Sequence, residues 1–528
     1  MPDHPRPRTI ALPVITAAAL LTASASPAAA ATGTADGVTD LRSDLDAILE
    51  DPALEEAVSG VVVRSLREDD TLYQRRSGKP LTPASNTKLL TSAAAMEVLG
   101  PDHTFDTTVT AERSPDDGLV RGDIHLVGTG DPSLTREAFA DLASDVADSG
   151  VTEVSGDLVA DDTWFDSRRL APDWEAADEP YYYAAQISAL TVAANDDLDT
   201  GVVTATASPG PAEGTPVEVE LAPHTRNLTL RNTARTGPPS GDRSLDITRP
   251  SGGNTFTASG ELPAGGDRFS TLRTVHEPTE HAAHLFAEEL EREGVTVDGG
   301  VERGTRPAET TELAQRESAP LRELLTPFLK LSNNGHAEIL TKTMGREAAG
   351  EGSWEAGLPV IESALWRLGV PPSGVKLHDG SGLSRTNRLP AATTVHLLEE
   401  LREEPWFDTW REALPLAGDN DRMTGGTLTN RMRDTPAAGN VRAKTGTLTG
   451  VSALSGYVTG ADGEPLVFAV LNNQVPSSAA RDAQDAIAVR LATFTRDEPT
   501  PGPDTASERA PVPRQPQDGL ECTWAGTC

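Results

Sequence analysis

The apolar positions of this chain fall into three successive textures. A short helix is expected near residues 41–54. A hairpin follows: an apolar run at 60–66, an acidic turn at Asp69-Asp70, and a second run at 71–74. Pro80 and Pro83 lead into Ser85, and from there to Leu99 the pattern predicts a mostly apolar helix carrying Leu89, Leu90, Ala93, Met96 and Val98. Gly100-Pro101 ends it. From about 105 to 275 short β-type runs dominate, at 107–110, 123–127, 156–160, 202–207, 217–221, 227–230 and 255–260, separated by turns rich in Gly, Pro and Asp. One helix near 136–147 interrupts them. From about 278 helical periodicity returns at 280–294, 321–331, 337–344, 354–368 and 391–403, then two strands at 441–457 and 466–472 and a closing helix at 479–494.

This order predicts an α/β fold of the α+β kind. A main domain begins, a mainly β insert interrupts it, and helices and strands complete it. The first and last parts form one domain, because neither holds a complete sheet alone. The expected boundaries are 32–105 and 276–497 for the main domain and 106–275 for the insert.

Both ends read differently. His4, Arg6 and Arg8 precede an apolar run at 10–21, too short for a stable membrane anchor, and Ala28-Ala29-Ala30 offers small residues for cleavage before Ala31 or Thr32. Residues 1–31 are expected to be a secretory signal. No later stretch is apolar for long enough to be a transmembrane helix, so the mature protein is expected outside the cytoplasmic membrane. Residues 498–528, rich in Pro and charge, are expected to be disordered.

Charge and cysteine content narrow the function classes. The 80 acidic against 45 basic residues give a net charge of −35, which argues against nucleic acid and against anionic lipid as partners. The two cysteines, Cys522 and Cys528, either close a small disulfide loop or stay free, and neither is expected to be catalytic. The ten histidines form no metal-ligand spacing; His281 and His284 share a helix face with no third ligand in view. No metal or organic cofactor is expected.

Against this background three short motifs stand out: Ser85-Asn86-Thr87-Lys88, Ser332-Asn333-Asn334 and Lys444-Thr445-Gly446. Of the 45 basic residues only six are lysine, and two of those six fall in the motifs. Arginine cannot lose its proton in a protein, whereas a buried lysine can serve as a base. Ser85 and Lys88, three apart, share one helix face, so the lysine can take the serine proton. Burial and the nearby charge of Lys444 would lower the Lys88 pKa. Ser332 can relay a proton to a leaving amine, and Asn334 can hold a substrate carbonyl. Lys444 and Thr445 can bind a terminal carboxylate. Gly446 permits close backbone approach on an edge strand to which an extended peptide adds. The N–H groups of Ser85 and Thr447 would form an oxyanion hole.

Together with the run His378-Asp379-Gly380-Ser381-Gly382-Leu383-Ser384-Arg385, these motifs resemble the low-molecular-weight class C penicillin-binding proteins, the D-alanyl-D-alanine carboxypeptidase/endopeptidases of serine peptidase family S13. The resemblance covers roughly residues 40–495 and includes the large insert. It implies a transpeptidase-type domain with an antiparallel sheet flanked by helices. It also implies a two-step acyl transfer through Ser85 on peptidoglycan stem peptides ending in D-Ala-D-Ala or cross-linked through D-Ala-diaminopimelate, and acylation by β-lactams. By the same resemblance Trp174 and Tyr182 match an aromatic that overhangs the site, with Tyr181 and Tyr183 leaving the register open; packing of the insert on the main domain is the other reading. Arg385 and Thr449 match positions facing the side-chain end of a diaminopimelate stem peptide.

Two alternatives stand beside this one. A serine β-lactamase would carry the same motifs. However, such enzymes are compact, and no Glu-x-x-Leu-Asn run stands between the second and third motifs. A non-catalytic β-lactam or cell-wall-binding module would not need every catalytic residue type intact.

Overall fold

The computed structural model of the protein describes residues 37–497. The expected signal segment, the Pro-rich tail, and Cys522 and Cys528 lie outside the described residues.

The main domain is built on a five-stranded antiparallel sheet. Its order is Arg442–Leu448, Val451–Thr459, Pro465–Asn473, Val58–Ser65 and Thr71–Arg75. The N-terminal hairpin completes a sheet whose other strands begin only at Arg442, far along the chain; Val61 pairs with Val470 and Val63 with Phe468. Alternation along Val58–Ser65 explains why the sheet needs cover on both faces. Val61 and Val63 pack with Leu41 and Leu45 of the helix Gly37–Leu49 and with Ile487 and Leu491 of Ser477–Ala492. Val62, on the opposite face, joins the larger core formed by the helices Thr87–Val98, Leu321–Lys330, Asn334–Ala349, Trp354–Arg367 and Ala391–Glu400. Each such fully buried aliphatic side chain stabilises the fold by about 1.5–3 kcal/mol. The strand Arg442–Leu448, carrying the Lys-Thr-Gly, is the sheet edge beside the helical lobe.

The insert comprises two units. The first has a five-stranded sheet ordered Val301–Arg303, Leu158–Asp161, Ile124–Gly128, Asp106–Ala111 and Thr311–Glu317, with the helices Arg136–Asp148 and Pro278–Arg292 packed on it through Phe139, Leu142, Phe286 and Leu290. The second, spanning the strands from Val202–Ser208 to Phe269–Thr274, has its own small core around Val203, Leu221, Ile247 and Phe256. The expected boundary at 275/276 falls inside the first unit, so residues 278–317 are corrected to the insert. The strand Thr311–Glu317 pairs with Asp106–Ala111 and closes the sheet. It escapes a reading of apolar pattern because its sequence, Thr-Glu-Leu-Ala-Gln-Arg-Glu, buries only Ala314.

A buried contact locks the insert to the helical lobe. Lys342, on Asn334–Ala349, donates to Asp166 Oδ1 at 2.5 Å and to the Arg168 carbonyl at 2.6 Å, with its ammonium 3.9 Å from the Trp354 ring centroid. The desolvated cation is held by a carboxylate and a π-face together. No described helix is long and apolar enough to cross a membrane.

Candidate active site

Ser85 sits in a single 3-10 turn, Ala84–Asn86, leading into the helix Thr87–Val98. Ala84 adopts φ +47°, a left-handed value that costs a non-glycine residue about 1–3 kcal/mol. Ser332, opening the second motif, is held at φ +60°. Ser85 and Ser332 thus both stand at sharp reversals that surrounding packing must maintain.

The second motif is positioned by capping. The Asn333 side chain accepts from His336 N at 3.2 Å and starts the helix at Asn334. Its amide donates to the Leu198 carbonyl at 3.1 Å, drawing an insert loop to the cleft.

Lys88 is completely buried. Its Nζ lies 2.9 Å from Ser85 Oγ, 2.6 Å from Asn334 Oδ1 and 2.9 Å from the Ser381 carbonyl. Lys444, equally buried, donates to Ser332 Oγ at 2.8 Å and to the Thr445 carbonyl at 2.8 Å. Thr445 Oγ1 donates to Thr427 Oγ1 at 2.7 Å. The three motifs, 247 and 112 positions apart from Ser85 to Ser332 and from Ser332 to Lys444, meet in one hydrogen-bonded constellation.

Two glycines allow the nucleophile turn to be enclosed. A Cβ on Gly446 would lie 2.8 Å from the Pro83 carbonyl oxygen and 3.1 Å from Ser85 N. One on Gly382, at φ +90°, would lie 1.9 Å from the Ala84 carbonyl oxygen. The close approach at Gly446 is thus to the backbone carrying Ser85.

Ser85, Ser332, Asn334, Thr447, Leu383 and Tyr182 line the cleft above this constellation. Tyr183 lines it too, and its carbonyl accepts from Asn334 Nδ2 at 2.7 Å. Burial and Asp178 push the Tyr183 phenol above its ordinary pKa, keeping it a neutral donor to Asp178 at 3.1 Å. Tyr181 stacks on Tyr183 with ring centroids 5.7 Å apart and faces solvent. Of the aromatic trio, 182 and 183 face the site.

Trp174 is placed differently. Its Nε1 donates to Asp379 Oδ2 at 2.9 Å, and its ring packs half-buried against the main core. It fastens the insert to the 378–385 loop. Arg385 Nη1 donates to the Thr449 carbonyl at 3.0 Å, so these two residues do meet, on the exposed rim. Sequence patterning gave no sign of the Ser381 carbonyl, Thr427 or the insert residues Asp199 and Thr200, which also line the cleft. A main-chain carbonyl has no residue signature, and the others lie far from any motif.

Elsewhere, His281 is fully buried, its pKa pushed down to about 3 by burial and then by His284. It contacts Thr225 at 3.0 Å, a packing role. Among the described residues no cluster of His, Cys, Asp or Glu could hold a metal ion.

Comparison with known proteins is consistent with this geometry. The chain is 51% identical over 497 residues to a D-alanyl-D-alanine carboxypeptidase of Actinomadura sp. (strain R39), covering 93% of this chain and 91% of the relative. It is 26% identical over 412 residues to the D-alanyl-D-alanine carboxypeptidase DacB of Haemophilus influenzae, covering 78% and 84%. The crystal structure of penicillin binding protein 4 (dacB) from Haemophilus influenzae superposes with a TM-score of 0.73 at 24% identity, over 86% of this chain and 99% of that one, and shares the fold. The model of the D-Ala-D-Ala carboxypeptidase 3 (S13) family matches residues 41–494, and the chain belongs to that family.

Proposed function

We propose that the protein is a secreted serine-type D-Ala-D-Ala carboxypeptidase that trims peptidoglycan stem peptides through a Ser85 acyl-enzyme. The observation that carries this reading is the setting of Lys88. Two of its partners, Asn334 Oδ1 and the Ser381 carbonyl, only accept hydrogen bonds. Its Nζ also lies 2.9 Å from Ser85 Oγ, so the amine, once neutral, faces with its lone pair the hydroxyl whose proton it takes.

In the first step Lys88 takes the Ser85 proton as Oγ attacks the penultimate D-alanine carbonyl. The N–H groups of Ser85 and Thr447 stabilise the oxyanion. Ser332, hydrogen-bonded to Lys444, relays that proton from Lys88 to the departing amine, so terminal D-alanine leaves and Lys88 is neutral again. Lys444 and Thr445 hold the terminal carboxylate while the substrate extends the sheet edge. In the second step water attacks the ester, Lys88 takes the water proton, and Ser85 is restored. A D-alanyl–diaminopimelate cross-link enters the same steps, with Tyr182 over the cleft and Arg385 and Thr449 at the rim. β-Lactams acylate Ser85 and leave slowly; a related structure carries a β-lactam.

The test is incubation with peptidoglycan fragments followed by mass analysis. Loss of one D-alanine by the wild type and not by Ser85→Ala is expected, and conversion of dimers to monomers reports endopeptidase action. Rapid steady-state penicillin hydrolysis would instead make it a β-lactamase.

A further inference from the structure

The loop 378–385 is folded around two fully buried carboxylates, and its purpose is not exhausted by packing. Asp379 Oδ1 accepts from Gly382 N at 2.8 Å and Asn387 Nδ2 at 2.6 Å, and its Oδ2 from Ser384 N at 2.5 Å and Trp174 Nε1 at 2.9 Å. Glu338, on the helix of the second motif, accepts from Ser381 N at 2.8 Å through Oε1. Its Oε2 accepts from Gly380 N at 3.0 Å and Trp354 Nε1 at 2.8 Å. Four loop amides therefore point at two acids. Gly380 is pressed onto the same helix: a Cβ there would lie 2.1 Å from Thr341 Oγ1 and 2.9 Å from the Ala337 carbonyl oxygen.

Two of these peptide units also face the helix Thr87–Val98: Gly380–Ser381, whose N–H goes to Glu338, and Ser381–Gly382, whose N–H goes to Asp379. The Gly380 carbonyl accepts from Thr91 Oγ1 at 2.7 Å, and the Ser381 carbonyl accepts from Lys88 Nζ at 2.9 Å. Glu338 grips the N–H of the residue whose C=O holds the base. A buried carboxylate is expensive unless it has donors, and here the donors are the loop that the reaction needs.

We propose that Glu338 is a positioning residue for the general base, aiming Lys88 at Ser85 through Ser381, whose N–H it holds and whose carbonyl, in the next peptide unit, accepts from the amine. This rests on the reading of Lys88 as base given above. Glu338 touches neither substrate nor Ser85; it fixes the carbonyl that fixes the amine. The charged groups facing it are Asp379 from the loop and Lys342 from its own helix. Burial first, and Asp379 second, push its pKa up to about 7, while the N–H donors of Ser381, Trp354 and Gly380 favour the carboxylate.

The test compares Glu338→Gln with Trp354→Phe. Glutamine keeps the shape but must turn an N–H toward loop N–H groups, releasing the Ser381 carbonyl. The change also removes a negative charge near Lys88. Trp354→Phe removes one donor to Glu338 and leaves both loop amides in place. The readout is the rate of Ser85 acylation by a fluorescent penicillin across pH, with melting temperature recorded alongside. For Glu338→Gln we expect at least a tenfold lower plateau and a Lys88 limb displaced to lower pH. For Trp354→Phe we expect a lowered melting temperature with rate and limb unmoved. Equal loss in both variants, or an unmoved rate and limb in folded Glu338→Gln, overturns the proposal. If the Gln variant does not fold, Glu338→Asp decides: charge kept and reach shortened should lower the plateau at least threefold, and a wild-type plateau overturns the proposal. An unlabelled wild type sinks the functional reading itself, whereas a labelled wild type beside an unaffected variant sinks this inference alone.

Discussion

Asn334 Oδ1 accepts from Lys88 Nζ at 2.6 Å, and the Nδ2 of the same side chain donates to the Tyr183 carbonyl at 2.7 Å. One amide bridges Lys88 and the insert. The side chain expected to grasp a substrate carbonyl spends both of its ends on holding the site together. Replacing it by aspartate would put a charge against the amine and favour ammonium over amine. Asn334→Asp is therefore expected to move the Lys88 limb of the acylation pH profile upward by at least one unit and to slow acylation at pH 7 about tenfold or more. Stopped-flow acylation across pH checks this, and a limb that stays put would refute the arrangement.

Gly446 makes a second prediction. Its absent side chain is explained by the Pro83 carbonyl and Ser85 N, both backbone, which cannot rotate away from a new Cβ. Gly446→Ala should push the edge strand off the nucleophile turn and lower kcat/KM at least a hundredfold, equivalent to about 2.7 kcal/mol of transition-state stabilisation. Melting temperature should fall much less than for a core truncation. Activity within threefold of wild type would show that the strand can retreat at no cost to the reaction.

Much of this was legible in the sequence, for identifiable reasons. Ser85 and Lys88 lie within one turn, so spacing alone placed them together. The hairpin at 58–75 and the closing strands announce themselves by apolar runs, and the two-part main domain followed from an incomplete sheet. Lysine scarcity proved a sharper signal than its motif positions suggest. Lys88, Lys330, Lys342 and Lys444 are all buried, and only Lys79 and Lys376 are exposed. What stayed hidden has no side-chain signature or no apolar pattern. The Ser381 carbonyl is backbone, Thr311–Glu317 reads as a polar loop, and nothing local distinguishes Tyr182 and Tyr183, which face the cleft, from Tyr181, which does not.

Lys444 is held by shape as well as by charge. Its side chain is fully enclosed, and its ammonium donates to the Ser332 hydroxyl and to the Thr445 carbonyl. A guanidinium is broader and planar and cannot present one compact donor to Ser332 in that space. Lys444→Arg keeps the charge, yet it should lose at least a hundredfold in kcat/KM and lower the melting temperature. Enzyme assays and calorimetry on the one variant check both. Near-wild-type activity would mean that charge suffices.

Lys330 supplies a stability prediction with a definite sign. Two residues before Ser332, it buries its amine against the carbonyls of Leu414 at 2.5 Å and Thr424 at 2.8 Å, tying down the segment that presents Thr427 to Thr445. Burial, and next the charge of Arg442, bring its pKa down from 10.5 to about 7. Between those values the unfolded chain binds the proton more readily than the folded one. Stability from this group therefore rises with pH across that window, by at most about 1.4 kcal/mol per pH unit, and levels off below about 7. The measurement is the denaturation free energy of wild type minus that of Lys330→Met at several pH values from 7 to 10; groups unaffected by the change largely cancel in the difference. That difference should climb in favour of wild type as pH rises. A flat difference would mean that Lys330 stays protonated and that carbonyl oxygens alone sustain a buried ammonium beside the active site.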